Sequence, residues 1–241
     1  MKLIILFLTK LGVLLKLAKY GKTIISMLLM IVSYAFIYGW KFAVGFVLLI
    51  FFHETGHVMA ARSVGIKTSA PMFIPFVGAF IKTERESISA MEEFIIAAGG
   101  PLAGMAAAFL CYFLGNVVNS ELLIALAFSG LIMNLFNLMP FGFMDGGRMA
   151  STLSVWMWGI GLVAFFGFAF WSGNAMLFIF LILGIFHMYE MITHPERIEK
   201  IRAIGSERQL FASVYIGMIL LGGWGSFVVY KTLQHLKGIP T

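Results

Sequence analysis

Charge is what this chain has least of. Only 12% of its 241 residues are Asp, Glu, Lys or Arg, against about 25% in a soluble domain, while 61% are hydrophobic. A water-soluble globule is excluded, and an integral membrane protein is left. Cysteine occurs once, as Cys111 inside an apolar run, so neither a disulfide framework nor a cysteine-based metal site can form within one chain. Five histidines are too few for the histidine boxes of a membrane oxidase. There is no tandem repeat and no low-complexity tract. A cleavable signal is also missing: Lys10, Lys16, Lys19 and Lys22 interrupt the apolar start, and no small-residue cleavage site follows. Residues 1–22 therefore read as a basic segment on the membrane surface. The net charge of +6 resides mostly in this segment and in short loops, so it speaks to orientation and anionic lipid, and no nucleic-acid partner is implied. The 25 Phe and 16 Met suit lipid-facing and packing surfaces and carry no cofactor signature.

What the chain does have is apolar runs of membrane length. About 20 apolar residues cross the hydrocarbon core, and candidate spans fall at 23–40, 42–61, 91–118, 122–139, 153–171, 175–191 and 210–230. The expectation is an all-α polytopic membrane protein of six to seven transmembrane helices. It forms a single membrane-embedded domain over 1–241, with no room for a separate soluble domain. Lys41, between the first two runs, predicts a tight helical hairpin there. With the N-terminus in the cytoplasm, 14 of the 17 Lys and Arg lie inside, and only Lys41, Lys231 and Lys237 lie outside. Basic residues mark cytoplasmic loops, so that orientation is expected. The expected location is a cell membrane, of the bacterial cytoplasmic kind.

Residues 69–83 are too short and too punctuated by Pro71, Pro75 and Gly78 to cross as a helix, yet too apolar for a solvated loop. Residues 72–74 and 79–81 suit short strands about a turn. Irregular backbone at membrane depth survives only when covered by protein or lining a polar cavity. A β-hairpin dipping back into the membrane is therefore predicted. Gly100 and Gly104 form a G-x-x-x-G that favours close helix packing, and the glycines of 222–225 read as a kink or a contact.

The chemistry lies in the second run. His53-Glu54-Thr55-Gly56-His57 stands inside apolar residues 42–61, where an ionisable group costs at least roughly 2.5–3.5 kcal/mol and defaults to a functional role with a partner. Residues i and i+4 share a helical face, so H-E-x-x-H lets both imidazoles hold one metal ion, with Glu54 beside them as general base. Arg62 marks the cytoplasmic end, which puts His57 and His53 roughly 8 and 14 Å inside it at 1.5 Å per residue. A catalytic zinc site takes three protein ligands and an open position. His187, His194, His235 and Asp145 are the downstream candidates. Asp145 follows Pro140 and lies among Gly142, Gly146 and Gly147, which would unwind the helix and present the carboxylate from irregular backbone. A metal transporter would account for His53 and His57 but not for Glu54 between them, nor for the scarcity of further polar groups along a path.

His53-Glu54-x-x-His57 followed by Asn137-x-x-Pro140-x-x-x-x-Asp145-Gly146, with G-P-L-x-G around Pro101 and F-I-P-F-x-G-A-F around Pro75 between them, resembles the site-2 proteases, the intramembrane zinc metalloproteases. The resemblance covers 42–148, which would be the catalytic core. It implies that His53, His57 and Asp145 bind Zn2+, that Glu54 is the catalytic base, and that Asn137 positions substrate or stabilises the oxyanion. It also implies that the hairpin around Pro75 holds an extended stretch of a transmembrane protein substrate during regulated intramembrane proteolysis. Many members carry a PDZ or CBS domain, and neither is present in this sequence. A homo-oligomer or a regulatory membrane partner is compatible with that compact form, as is a catalytically dead scaffold, although all four ligand and base residues are intact.

Overall fold

The computed structural model describes residues 21–84, 89–154 and 156–236. Most of the expected basic segment 1–22 lies outside the described residues. Helix α1 (Gly21–Tyr38) and helix α2 (Trp40–Ser63) are separated by Gly39 alone. Gly39 has φ +81°, a left-handed conformation that glycine adopts without a Cβ penalty. The break therefore sits two residues before Lys41, which belongs to α2. Met30 and Ile31 of α1 pack against Ala43, Val47 and Ile50 of α2, so the two helices fold back on each other as expected.

Strands β1 (Met72–Ile74) and β2 (Gly78–Phe80) follow. They pair antiparallel with Met72 opposite Phe80, Phe73 opposite Ala79 and Ile74 opposite Gly78. The predicted hairpin is present, with its second strand starting one residue earlier than expected. Phe73 is buried against α1 and α2, and its N–H donates to Ser26 Oγ of α1 at 3.1 Å. The hairpin is thus fastened to the helical pair by an apolar plug and a hydrogen bond.

Helix α3 (Ala90–Val117) is capped by Ser89, whose Oγ accepts from the Glu92 N–H. It continues through Pro101. Helix α4 (Glu121–Asn137) is capped in the same way by Ser120, one orphan N–H of each helix being satisfied by a side-chain oxygen. Residues 138–144 are irregular, and the short helix α5 (Asp145–Leu153) begins at Asp145 itself. The unwinding expected after Asn137 is real, but the carboxylate stands on the first residue of a new helix and not within the coil. Helices α6 (Trp156–Ser172), α7 (Ala175–Thr193), α8 (Pro195–Lys200) and α9 (Ser206–Leu236) complete the order.

Helix α3 lies between α2 and α4, and α9 covers α4. The main apolar core joins α3, α4, α5 and α9 through Phe94, Met105, Leu131, Met149 and Phe211. Among the described residues, four helices are long and apolar enough to cross a membrane: α1, α2, α3 and α9. Helices α4, α6 and α7 are apolar but offer shorter spans. Large apolar side chains such as Phe36, Trp156, Val163 and Phe170 are almost fully exposed, which suits a surface solvated by lipid. The glycines of 222–225 lie within an uninterrupted α9. Gly222 faces Met105 and Leu135, and Gly225 faces Phe109 and Leu131, so that cluster is a helix contact.

Candidate metal centre

His53 and His57 are one turn apart on the buried face of α2, with Glu54 and Gly56. All three polar side chains are about 95% shielded, and Asp145 is nearly as deep. His53 Nε2 lies 3.1 Å from Asp145 Oδ2, and His57 Nε2 lies 3.1 Å from Asp145 Oδ1. The two Nε2 atoms are themselves 3.1 Å apart. Among the described residues, His53, His57 and Asp145 form a group whose ligand atoms all lie within 4.8 Å of one another. The other candidates lie elsewhere. The His187 ring is 6.5 Å from Trp158 in a separate cavity, His194 pairs with exposed Glu196, and His235 is in the last turn of α9.

The outer nitrogens decide what the inner ones can do. His57 Nδ1 is 2.7 Å from the Ile96 carbonyl, which can only accept, so Nδ1 carries a proton. Asn134 donates through Nδ2 to the Gly130 carbonyl at 2.8 Å and turns Oδ1 toward His53 Nδ1 at 2.9 Å. His53 Nδ1 must therefore donate as well. In the neutral tautomers so defined, both Nε2 atoms present lone pairs to each other and to a carboxylate. Lone pairs converging at 3.1 Å in a buried site repel unless a cation lies between them. A metal ion fits this donor set, and two imidazoles with one carboxylate are typical of catalytic zinc.

Space for the histidines comes from glycines of α3. A methyl group on Gly100 would overlap His57 Nε2, and one on Gly104 would overlap the Asn134 amide. Gly56 and Gly99 bring the backbones of α2 and α3 into direct contact. The G-x-x-x-G pattern is thus a packing device, and the side chains packed against it are His57 and Asn134.

Asp145 is held through its surroundings. Trp158 Nε1 of α6 donates to the Gly147 carbonyl at 2.8 Å, and Tyr215 Oη of α9 donates to the Leu138 carbonyl at 2.6 Å. Arg148 Nε donates to Glu93 Oε1 at 2.7 Å, tying α5 to the first turn of α3. The irregular segment and the first turn of α5, which flank Asp145, are accordingly clamped from three helices. The Leu138 carbonyl, just past the end of α4, finds a side-chain donor, as the interior of a membrane protein requires.

A cavity of about 530 Å³ opens over the centre. Glu54 and Asn137 line it beside His53, His57 and Asp145, and residues 76–81 of the hairpin form another wall. Asn137 therefore borders the cavity, whereas Asn134, which the motif does not mark, contacts a histidine. The mark of Asn134 in the sequence is an amide inside the apolar run that ends at Asn137.

Comparison with known proteins agrees with the resemblance drawn from the motifs. Residues 41–123 match the model of peptidase family M50. Probable zinc metalloprotease EGY2, chloroplastic, of Oryza sativa subsp. indica is 28% identical over a match covering 44% of this chain and 27% of that protein. The protein of the same name from Arabidopsis thaliana is 27% identical, over 43% of this chain and 26% of that protein. The chain thus spans about a quarter of the length of these curated relatives. Among solved structures, the site-2 protease from Methanocaldococcus jannaschii superposes with a TM-score of 0.48 at 20% identity, covering 75% of this chain and 88% of that one.

Proposed function

We propose that this chain, which carries a peptidase family M50 segment, is an intramembrane zinc metalloprotease that hydrolyses peptide bonds within or near transmembrane segments of membrane proteins. The observation that carries the reading is the convergence of His53, His57 and Asp145 beside Glu54 on a helix of membrane length. His53, His57 and Asp145 would hold the zinc. Bound there, zinc supplies Lewis acidity, polarising a carbonyl and making water more acidic.

Glu54 takes the proton of the attacking water as its oxygen bonds to the scissile carbonyl carbon. It returns that proton to the amide nitrogen as the C–N bond breaks, leaving a carboxylic acid, which keeps the second hydrogen of the water, and an amine. Asn137, at the cavity wall, offers an amide donor to the substrate carbonyl. The hairpin offers a strand edge, and a substrate helix that has unwound can add to it, since an extended chain presents the free N–H and C=O groups such an edge requires. The catalytic core is residues 42–148 within a single membrane-embedded unit, and the partners are a transmembrane substrate and the lipid bilayer.

We extend the reading to topology. Helices α4 and α6, of 17 residues each, reach roughly 26 Å at 1.5 Å per residue. They would cross with modest thinning of a hydrocarbon layer about 30 Å thick. With α7 and the four longer helices this makes seven spans, the upper of the six to seven expected, in a cell membrane, the N-terminus in the cytoplasm and the centre nearer that side. Metal transport is disfavoured, because a path needs successive sites and His53–His57–Asp145 is the group of three found among the described residues.

The test is Glu54→Gln in detergent or liposomes with a transmembrane reporter. Gln preserves shape but cannot take a proton, so cleavage should fall by about 10²-fold or more while zinc stays bound. Cleavage at the wild-type rate would overturn the assignment.

A further inference from the structure

The Asn134 side chain is fully buried in a predominantly apolar helix, and burying an amide costs about 1–3 kcal/mol unless its hydrogen bonds are met. Both its polar atoms have partners. Nδ2 donates to the Gly130 carbonyl one turn back, and Oδ1 lies 2.9 Å from His53 Nδ1. The Gly130 carbonyl cannot donate, so the amide has one satisfied orientation. That orientation presents an acceptor to His53 and excludes the tautomer with the proton on Nε2. On the other side, Gly104 leaves just enough room for the amide, since a Cβ there would overlap both its oxygen and its nitrogen.

We propose that Asn134 is a positioning residue for the metal centre. It fixes the ring orientation of His53 and holds the proton on Nδ1, so that Nε2 keeps its lone pair for the metal. This assignment rests on the metal-centre reading above. It places a required polar group outside the ligand set and outside the family motif. His57 obtains the same service from a backbone carbonyl, Ile96 O, which no side-chain substitution can remove. Asn134 is therefore the half of the support that mutation can reach.

The experiment measures metal binding by the purified full-length protein, with zinc affinity from chelator competition and site geometry from the absorption spectrum of the Co2+ form. Asn134→Leu keeps the branched shape and the number of heavy atoms and removes the acceptor. Its zinc affinity should fall by about 10–100-fold, as loss of an outer-shell partner does, with a changed Co2+ spectrum. Asn134→Asp keeps an acceptor toward His53, and affinity should return to within a few-fold of wild type. Gly104→Ala leaves every donor in place but displaces the amide, and it should weaken zinc as Asn134→Leu does. Wild-type affinity and spectrum in Asn134→Leu would overturn the proposal. So would Asn134→Asp as weak as Asn134→Leu, which would mark the residue as packing only. A wild-type protein that binds zinc but cuts no reporter would overturn the proposed activity and leave this assignment standing.

Discussion

A methyl group is the smallest addition a protein can receive, and at Gly100 it has nowhere to go. The position it would occupy overlaps the imidazole of His57, and α3 is locked against α2 by the Gly56–Gly99 contact. Relief has to come from the histidine, whose Nε2 would leave the ligand set. Gly100→Ala should therefore purify with substoichiometric zinc and lose proteolysis. Gly223→Ala, facing open space on α9, should keep both, and metal analysis of the two proteins side by side checks this. At this scale the readable residues are those whose cost is evident without a structure. His53, Glu54 and His57 stand out because ionisable groups do not enter an apolar span for nothing. Asp145 is about ninety residues further on, and no spacing rule reaches across such a gap, so only the paired motif singles it out. Asn134 and Asn137 look alike in the sequence. Which of them meets a histidine depends on how α4 is rotated, and packing against α3 and α9 decides that rotation.

The hairpin is the element whose chemistry depends most on its shape. Its strands are three residues long, and an isolated two-stranded hairpin is marginal, so anchoring on α1 and α2 through Phe73 and Ser26 is what keeps it formed. Ala79 pairs with Phe73 and lines the cavity. Ala79→Pro removes an N–H and adds a ring at that point. Turnover of a transmembrane reporter should drop several-fold while zinc content remains at the wild-type level. Replacing helix-breaking residues near the reporter's cleavage site with Leu should slow the wild-type protein as well, because under the proposed mechanism a substrate unwinds before it adds to the strand edge. Equal rates for all three combinations would reduce residues 72–81 to a surface loop. Prolines and glycines made this element legible, since they punctuate a stretch too apolar for solvent. Helix α5 was harder to foresee. Asp145-Gly146-Gly147 reads locally as coil, and the helix it opens depends on clamps from Trp158, Tyr215 and Glu93, which come from distant parts of the chain.

At the scale of the whole molecule, the basic residues determine which way it faces. In a background with Cys111→Ala, single cysteines at positions 67 and 200 should react with an impermeant reagent from the cytoplasmic side, and cysteines at 120 and 173 from the opposite side. Labelling of position 120 from the cytoplasm would invert the map. The division of the centre between α2 and the start of α5 also has a consequence in time. Synthesis runs at about 5–20 residues per second, so on the order of five to fifteen seconds separate the emergence of His57 from that of Asp145. Throughout that interval the nascent chain holds two histidines and a glutamate but no complete metal site. On the proposed function, a chain assembled in this order is born inert: it would have no complete site with which to attack neighbouring proteins at the insertion machinery, and its competence would be deferred until Asp145 and the helices that clamp it are in place.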